Sequence, residues 1–132
     1  MKLFLTRHGE TDWNLRRRIQ GSTDTDLNES GRRQAVQLAE SLLLSPDRPE
    51  IVYTSGLKRA RETAEIAAGR LQVPCVVHEG LGEINFGLWE GLTWDQVEER
   101  YPELYTIWHT DRRYGHPPEG ESYQDLLNRV LP

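Results

Sequence analysis

Three short apolar runs alternate with two segments of helical period, and that order leaves few folds open. Residues 2–6, KLFLT, form a nearly continuous apolar run at the start of the chain, and residues 51–54, IVYT, and 75–77, CVV, form two more. Such runs suit strands buried on both faces, as in a parallel sheet. Between the first two lies a helical segment over 28–44, in which Ala35, Leu38, Ala39, Leu42 and Leu43 recur at helical spacing and mark a buried stripe. Pro46 and Pro49 stop it. Ser55 is placed to cap a second helix over 57–72, which would bury Ala60, Ala64, Ala67 and Leu71 and end at Pro74. Strand, helix, strand, helix, strand with right-handed crossovers predicts an α/β fold: a mainly parallel sheet flanked by helices on both faces.

The remaining segments are irregular or end in short helices. Residues 8–27 are rich in Gly, Asn, Asp and Thr and read as a long loop, and loops of that length inside a compact domain are usually functional. Gly80, Gly82, Gly87 and Gly91 mark a second irregular stretch over 78–92. Thr93 and Gln96 form a capping-box pattern for a helix to Tyr101, and Ser122 and Asp125 open a final helix running to Pro132. No internal repeat, linker or low-complexity tract divides the chain. Its 132 residues suit one domain, here 1–132, and are too few for two comfortable ones.

Composition excludes several functions. A net charge of -5 argues against non-specific nucleic-acid binding, which depends on neutralising phosphates. The basic residues are unevenly placed, however: Arg7, Arg16, Arg17, Arg18, Arg32, Arg33, Lys58, Arg59 and Arg61 all fall in the first half, which is compatible with a local anion site. Cys75 is the single cysteine, so neither an intramolecular disulfide framework nor a multi-cysteine zinc site is expected. No run approaches the ~20 apolar residues of a membrane helix. The start MKLFLTRHGE is not a secretory signal, so a cytoplasmic setting and no membrane partner are expected.

The sharpest chemical feature is Arg7-His8-Gly9-Glu10-Thr11, directly after the first apolar run. In open α/β sheets, sites lie at the carboxyl ends of strands. Arg7 stays charged and can grip two phosphate oxygens at once. His8 titrates near neutrality and can attack phosphorus through a neutral ring nitrogen. Gly9 lets backbone approach closely, and a carbonyl there would fix the imidazole tautomer. The bland alternative is an exposed Arg–His pair at a strand end. No GxxxxGK[ST] loop, no GxGxxG and no carboxylate cluster suited to magnesium is present, so neither metal nor cofactor is expected.

Five blocks in order, RHGETDWN at 7–14, GSTDTDLNESGRRQA at 21–35, YTSGLKRARETA at 53–64, LGEINFGLWEG at 81–91 and PEGES at 118–122, resemble the histidine phosphatase superfamily, also called phosphoglycerate mutase-like. The resemblance implies that His8 is the nucleophile and becomes phosphohistidine. It implies that Arg7 and Arg59 hold the phosphoryl group and that Asn14 contacts it. Thr11, Gln20 and Gly21 then line the substrate pocket, and Glu83 protonates the leaving oxygen and later draws a proton from water. Read unaided, Arg59 sits in the first turn of the second helix, whose N-terminus favours anions; its bland alternative is a solvated surface arginine. Glu83 lies in a glycine-containing loop, with an ordinary loop carboxylate as its alternative. Glu10 is expected to brace the loop. His78, His109 and His116 read as surface or loop residues. Trp13, Trp89, Trp94 and Trp108 read as core or pocket wall, and Arg16–Arg18 as a solvated face or an anion-attracting patch.

The family also carries a second active-site histidine, followed by glycine, at the end of a later apolar strand. No such segment exists here, and His109 and His116 precede the final helix and do not match it. The expectation is therefore a C-terminally incomplete domain with an unpaired strand edge, which a homodimer could cover. The segment between Trp94 and Glu121 is short and ends in PPEGES, similar to broad-specificity and alpha-ribazole phosphatases. The expected activity is metal-independent hydrolysis of a small phosphomonoester, with that ester or inorganic phosphate as the partner. A cofactor-dependent phosphoglycerate mutase and a truncated, non-catalytic phosphate-binding remnant are the two alternatives.

Overall fold

The computed structural model describes residues 1–131. In chain order the elements are α1 (Asp12–Leu15), α2 (Glu29–Leu44), β1 (Val52–Thr54), α3 (Lys58–Leu71), β2 (Cys75–Val77), α4 (Trp94–Arg100), α5 (Pro102–Thr110) and α6 (Tyr123–Val130). Single 3-10 turns lie at Glu79–Leu81 and Gly87–Trp89. The chain divides into two compact units: Met1–Asp12 with Asp24–Leu81, and Trp13–Thr23 with the described residues from Gly82 on. No helix of the described residues is long and apolar enough to cross a membrane.

The first unit holds the sheet. β1 and β2 pair in parallel, with Val52 opposite Cys75, Tyr53 opposite Val76 and Thr54 opposite Val77. The ladder continues at both ends, from the Val52 amide to Pro74 O at 2.9 Å and from the His78 amide to Thr54 O at 2.8 Å. α3 packs against both strands, and α2 packs along α3. Helices thus flank a small parallel sheet, as the alternation of runs requires.

Residues 2–6 depart from the expectation, because they form no strand. Leu3 is 75% and Leu5 89% exposed. The sheet of the described residues has two strands, and neither takes this run as a neighbour. An apolar run becomes a strand only where a partner receives its N–H and C=O groups. Residues 8–27 are irregular as expected, apart from the single turn of α1.

α2 begins at its N-cap Asn28, whose side-chain oxygen accepts from the Gly31 amide at 2.8 Å. Ala35 and Ala39 are buried on the predicted stripe, with Leu38, Leu42 and Leu43 half-buried beside them. Ser55 does not cap α3: the cap position is Leu57, which supplies no side-chain bond. Asp24 Oδ1 accepts from the Lys58 amide at 2.7 Å instead, so the cap comes from a loop distant in sequence. The buried face of α3 is Arg59, Thr63, Ala64, Ala67 and Ala68, while Ala60 and Leu71 are only half-buried. The face is therefore turned from the predicted one, and it includes a charged side chain. α3 ends in the left-handed Gln72, before Pro74 is reached.

The second unit is built on aromatic rings. Ile19, Trp89, Val97 and Trp108 are buried together, with Phe86, Leu92, Tyr101, Tyr105 and Tyr123 packed on them. The predicted capping box of Thr93 with Gln96 opens α4, and Ser122 with Asp125, expected to open the final helix, forms a second capping box at α6. The sequence pattern predicts no helix at α5, which starts at Pro102, a position where proline loses no helical hydrogen bond. α6 ends at Val130, and Pro132 lies outside the described residues.

Arg129 on α6 clamps Glu121 with two bonds, Nε to Oε1 at 2.9 Å and Nη2 to Oε2 at 3.1 Å. The hydrogen bond from Arg129, with the Asn85 amide adding to it, holds the Glu121 carboxyl below the usual carboxylate range. A carboxyl whose pKa is depressed by folding contributes stability above its unfolded pKa and loses it as pH falls through the folded value. Acid unfolding of Glu121→Gln should therefore be less steep below about pH 4 than that of the parent chain. Urea midpoints at a series of pH values check this, and parallel acid limbs for the two proteins would refute it.

Candidate functional site

The nucleophile candidate is fixed by backbone packing. Gly9 is buried, and a Cβ there would lie 2.3 Å from Gly31 O; a Cβ on Gly31 would lie 2.2 Å from Glu10 O. Two glycines thus let the 8–11 loop lie directly on the first turn of α2. Glu10 braces this contact as expected. Its amide donates to Gln34 Oε1 at 2.8 Å, its carbonyl accepts from the Asn28 amide at 2.9 Å, and its carboxylate accepts from Asn28 Nδ2 at 3.0 Å.

His8 is half-buried, and its Nδ1 lies 2.7 Å from Gly9 O. A carbonyl can only accept, so Nδ1 carries the proton, and in the neutral ring the lone pair sits on Nε2. The Gly9 amide donates to Thr63 Oγ1 at 3.0 Å, and the Thr63 hydroxyl donates to Arg59 O at 2.7 Å. One buried hydroxyl thereby joins the histidine loop to the helix that carries Arg59. Arg59 is 2% exposed, in the first turn of α3, with Nη1 3.5 Å from Thr25 Oγ1. That burial overturns the reading of a solvated surface arginine. Arg7 is exposed, and Thr11 is fully buried. An open cleft of about 140 Å³ is lined by Arg7, His8, Gly9, Gln34, Leu38 and Thr63.

The second unit carries the other expected residues. Asn14 and Gln20 are half-buried, and Gly21 is buried with φ 53°. Glu83 is exposed; its Oε1 accepts from the Ile84 amide at 2.9 Å, and its backbone carbonyl accepts from Arg129 Nη2 at 3.0 Å. Asn85, two residues on, exchanges bonds with Glu121: its amide donates to Oε2 at 2.9 Å, and its carbonyl accepts from the Glu121 amide at 2.7 Å. The Glu83 loop is thus tied to the start of α6 and to Arg129 upon it. Arg7, His8, Thr11 and Arg59 belong to the first unit, and Asn14, Gln20, Gly21 and Glu83 to the second.

Of the remaining aromatic and basic residues, Trp89 and Trp108 are core, and Trp94 is partly exposed. His78, His109 and His116 are exposed, as are Arg16–Arg18. Among the described residues no three His, Cys, Asp or Glu side chains gather as a metal site would need. Sequence reasoning did not single out Thr63, Glu90, Glu121 or Arg129. Thr63 was detectable as a hydroxyl one helical turn after Arg59. The other three are joined by contacts distant in sequence.

Residues 3–132 match the histidine phosphatase superfamily (branch 1). A metal-independent phosphoserine phosphatase of Arabidopsis thaliana is 41% identical over 98% of this chain and 55% of its own length. The mycobacterial glucosyl-3-phosphoglycerate phosphatase solved with VO3 superposes with a TM-score of 0.82 at 38% identity, over 92% of this chain and 57% of that one. The alpha-ribazole phosphatase of Shigella flexneri gives a TM-score of 0.80 at 32% identity, over 93% of this chain and 60% of that one. The chain spans between 26% and 61% of the length of eight curated relatives that it matches.

Proposed function

The chain belongs to the histidine phosphatase superfamily, and from that premise we propose that it carries the machinery of a phosphomonoester hydrolase working through phosphohistidine on His8. The carrying observation is the 2.7 Å bond from His8 Nδ1 to Gly9 O, which puts the ring's lone pair on Nε2, the atom that must attack phosphorus. Arg7 and Arg59 hold the phosphoryl oxygens. The buried Arg59 supplies a guanidinium fixed at a helix start, where developing negative charge is stabilised without reorganisation. Nε2 bonds to phosphorus as the ester oxygen leaves, and the Glu83 carboxyl gives that oxygen its proton. Water then attacks the phosphohistidine, the Glu83 carboxylate takes its proton, and inorganic phosphate departs with His8 restored. Asn14 contacts the phosphoryl group, and Thr11, Gln20 and Gly21 line the pocket.

Hydrolysis is favoured over mutase chemistry by the short segment between Trp94 and Glu121 and by the phosphatase names of the relatives. Those relatives are named for a phosphorylated amino acid, a phosphorylated sugar acid and alpha-ribazole, so the substrate class is a small phosphorylated metabolite. The reaction needs no metal, since two guanidinium groups and one imidazole supply the charge and the nucleophile. Rapid acid-free quenching during turnover of p-nitrophenyl phosphate, followed by peptide mass analysis, should find an acid-labile phosphoryl group on His8. Phosphate release with no adduct, or with an adduct on another residue, overturns the reading.

A further inference from the structure

The loop Gln20–Thr23 and the segment Phe86–Leu92 are stitched together within the second unit, and one carboxylate makes most of the stitches. Glu90 Oε1 accepts from the Ser22 amide at 2.7 Å, the Ser22 hydroxyl at 3.0 Å and the Phe86 amide at 3.1 Å. Glu90 Oε2 accepts from the Thr23 hydroxyl. Four donors thus converge on one carboxylate, three of them on Oε1. Backbone pairing lies alongside, from the Gly91 amide to Ile19 O and from the Ile19 amide to Leu92 O, both at 2.8 Å. Gly21 takes the left-handed conformation, and a Cβ there would meet Glu90 Oε1 at 2.2 Å. The carboxylate occupies the space that a side chain at position 21 would fill.

We propose that Glu90 is a positioning residue for substrate selection: it holds the Gln20–Thr23 loop in the one shape that receives the organic part of the phosphomonoester. The inference rests on the preceding reading of Gln20 and Gly21 as pocket residues. Hydrogen bonds to a charged acceptor are roughly twice as strong as neutral ones. An amide in place of the carboxylate offers one accepting oxygen and turns an NH2 toward groups that also donate. The loop then loses partners and must be ordered anew when substrate binds, which costs affinity for the groups it touches. None of the four donors to Glu90 belongs to Arg7, His8 or Arg59. Glu90 therefore governs the organic group and leaves phosphoryl transfer alone.

Glu90→Gln in the full 132-residue chain tests this, with Ser22→Ala as a milder variant that removes one donor and keeps the carboxylate. With phosphoserine as the probe, Glu90→Gln should raise KM about tenfold, the equivalent of ~1.4 kcal/mol, with kcat within about threefold of the parent value. Inhibition by inorganic phosphate should change by less than about twofold, a split that general loosening of the fold would not give. Amide exchange at Ser22 and Phe86 should quicken about tenfold, with Val97 unchanged. Ser22→Ala should move KM and exchange the same way by less, and it decides by the same criteria if Glu90→Gln does not fold. Unchanged KM, phosphate inhibition weakening in step with KM, or unaltered exchange at Ser22 and Phe86 overturns the assignment. A parent chain that releases no phosphate overturns the hydrolase reading and the substrate-selecting role with it, an outcome distinct from an active parent whose KM the variant leaves unchanged.

Discussion

Replacing His8 by alanine is expected to lower phosphate release by at least about a thousandfold, to the rate that binding and electrostatics alone sustain. The size follows from what is removed. In the proposed mechanism the substitution deletes the atom that forms the covalent intermediate, so the two-step path closes and only direct attack by water remains. The fold should survive it. The ring bond described for His8 runs to the carbonyl of its own neighbour, and the packing of the loop rests on Gly9, Gly31 and Glu10, none of which is altered. A thermal midpoint within a few degrees of the parent, together with lost turnover, is the expected pair of results. Equal turnover by the two proteins would remove His8 from the mechanism.

Glu83→Gln carries the second large effect, and its size should depend on the leaving group. General acid catalysis is worth about 10²–10⁴-fold where the departing oxygen needs a proton. An alkyl phosphate such as phosphoserine should lose activity in that range. p-Nitrophenyl phosphate, whose phenolate leaves without help, should lose much less in the first step. Hydrolysis of the phosphohistidine still calls for a base, so the variant should accumulate labelled His8 with the aryl substrate. Equal losses with both substrates and no accumulation would assign Glu83 another role. The bonds that hold the loop pass through the Glu83 carbonyl and through Asn85, and glutamine leaves both in place.

What the sequence could reveal followed the range of each interaction. The helix starts at Thr93 and Ser122 are read correctly because donor and acceptor lie three residues apart. The parallel pair β1–β2 follows from two apolar runs separated by one helix. Residues 2–6 mislead because strand identity is settled by a neighbour, which a local apolar pattern cannot specify. Asp24 displaces Ser55 as the cap of α3 for the same reason. In the site, the motif blocks pointed to His8, Arg7 and Arg59, and the glycine between His8 and Glu10 hinted at the carbonyl that sets the tautomer. The burial of Arg59 and the roles of Thr63 and Glu90 depend on tertiary contacts that periodicity does not encode.

The absence of room for even a methyl group between Gly9 and Gly31 has a mechanical consequence. Although His8 belongs to an irregular stretch, its backbone is seated on a sixteen-residue helix with no compliant side chain between them. The backbone that carries the imidazole is therefore braced at Gly9 by that rod, and a shift of the loop at Gly9 must carry the start of the rod along.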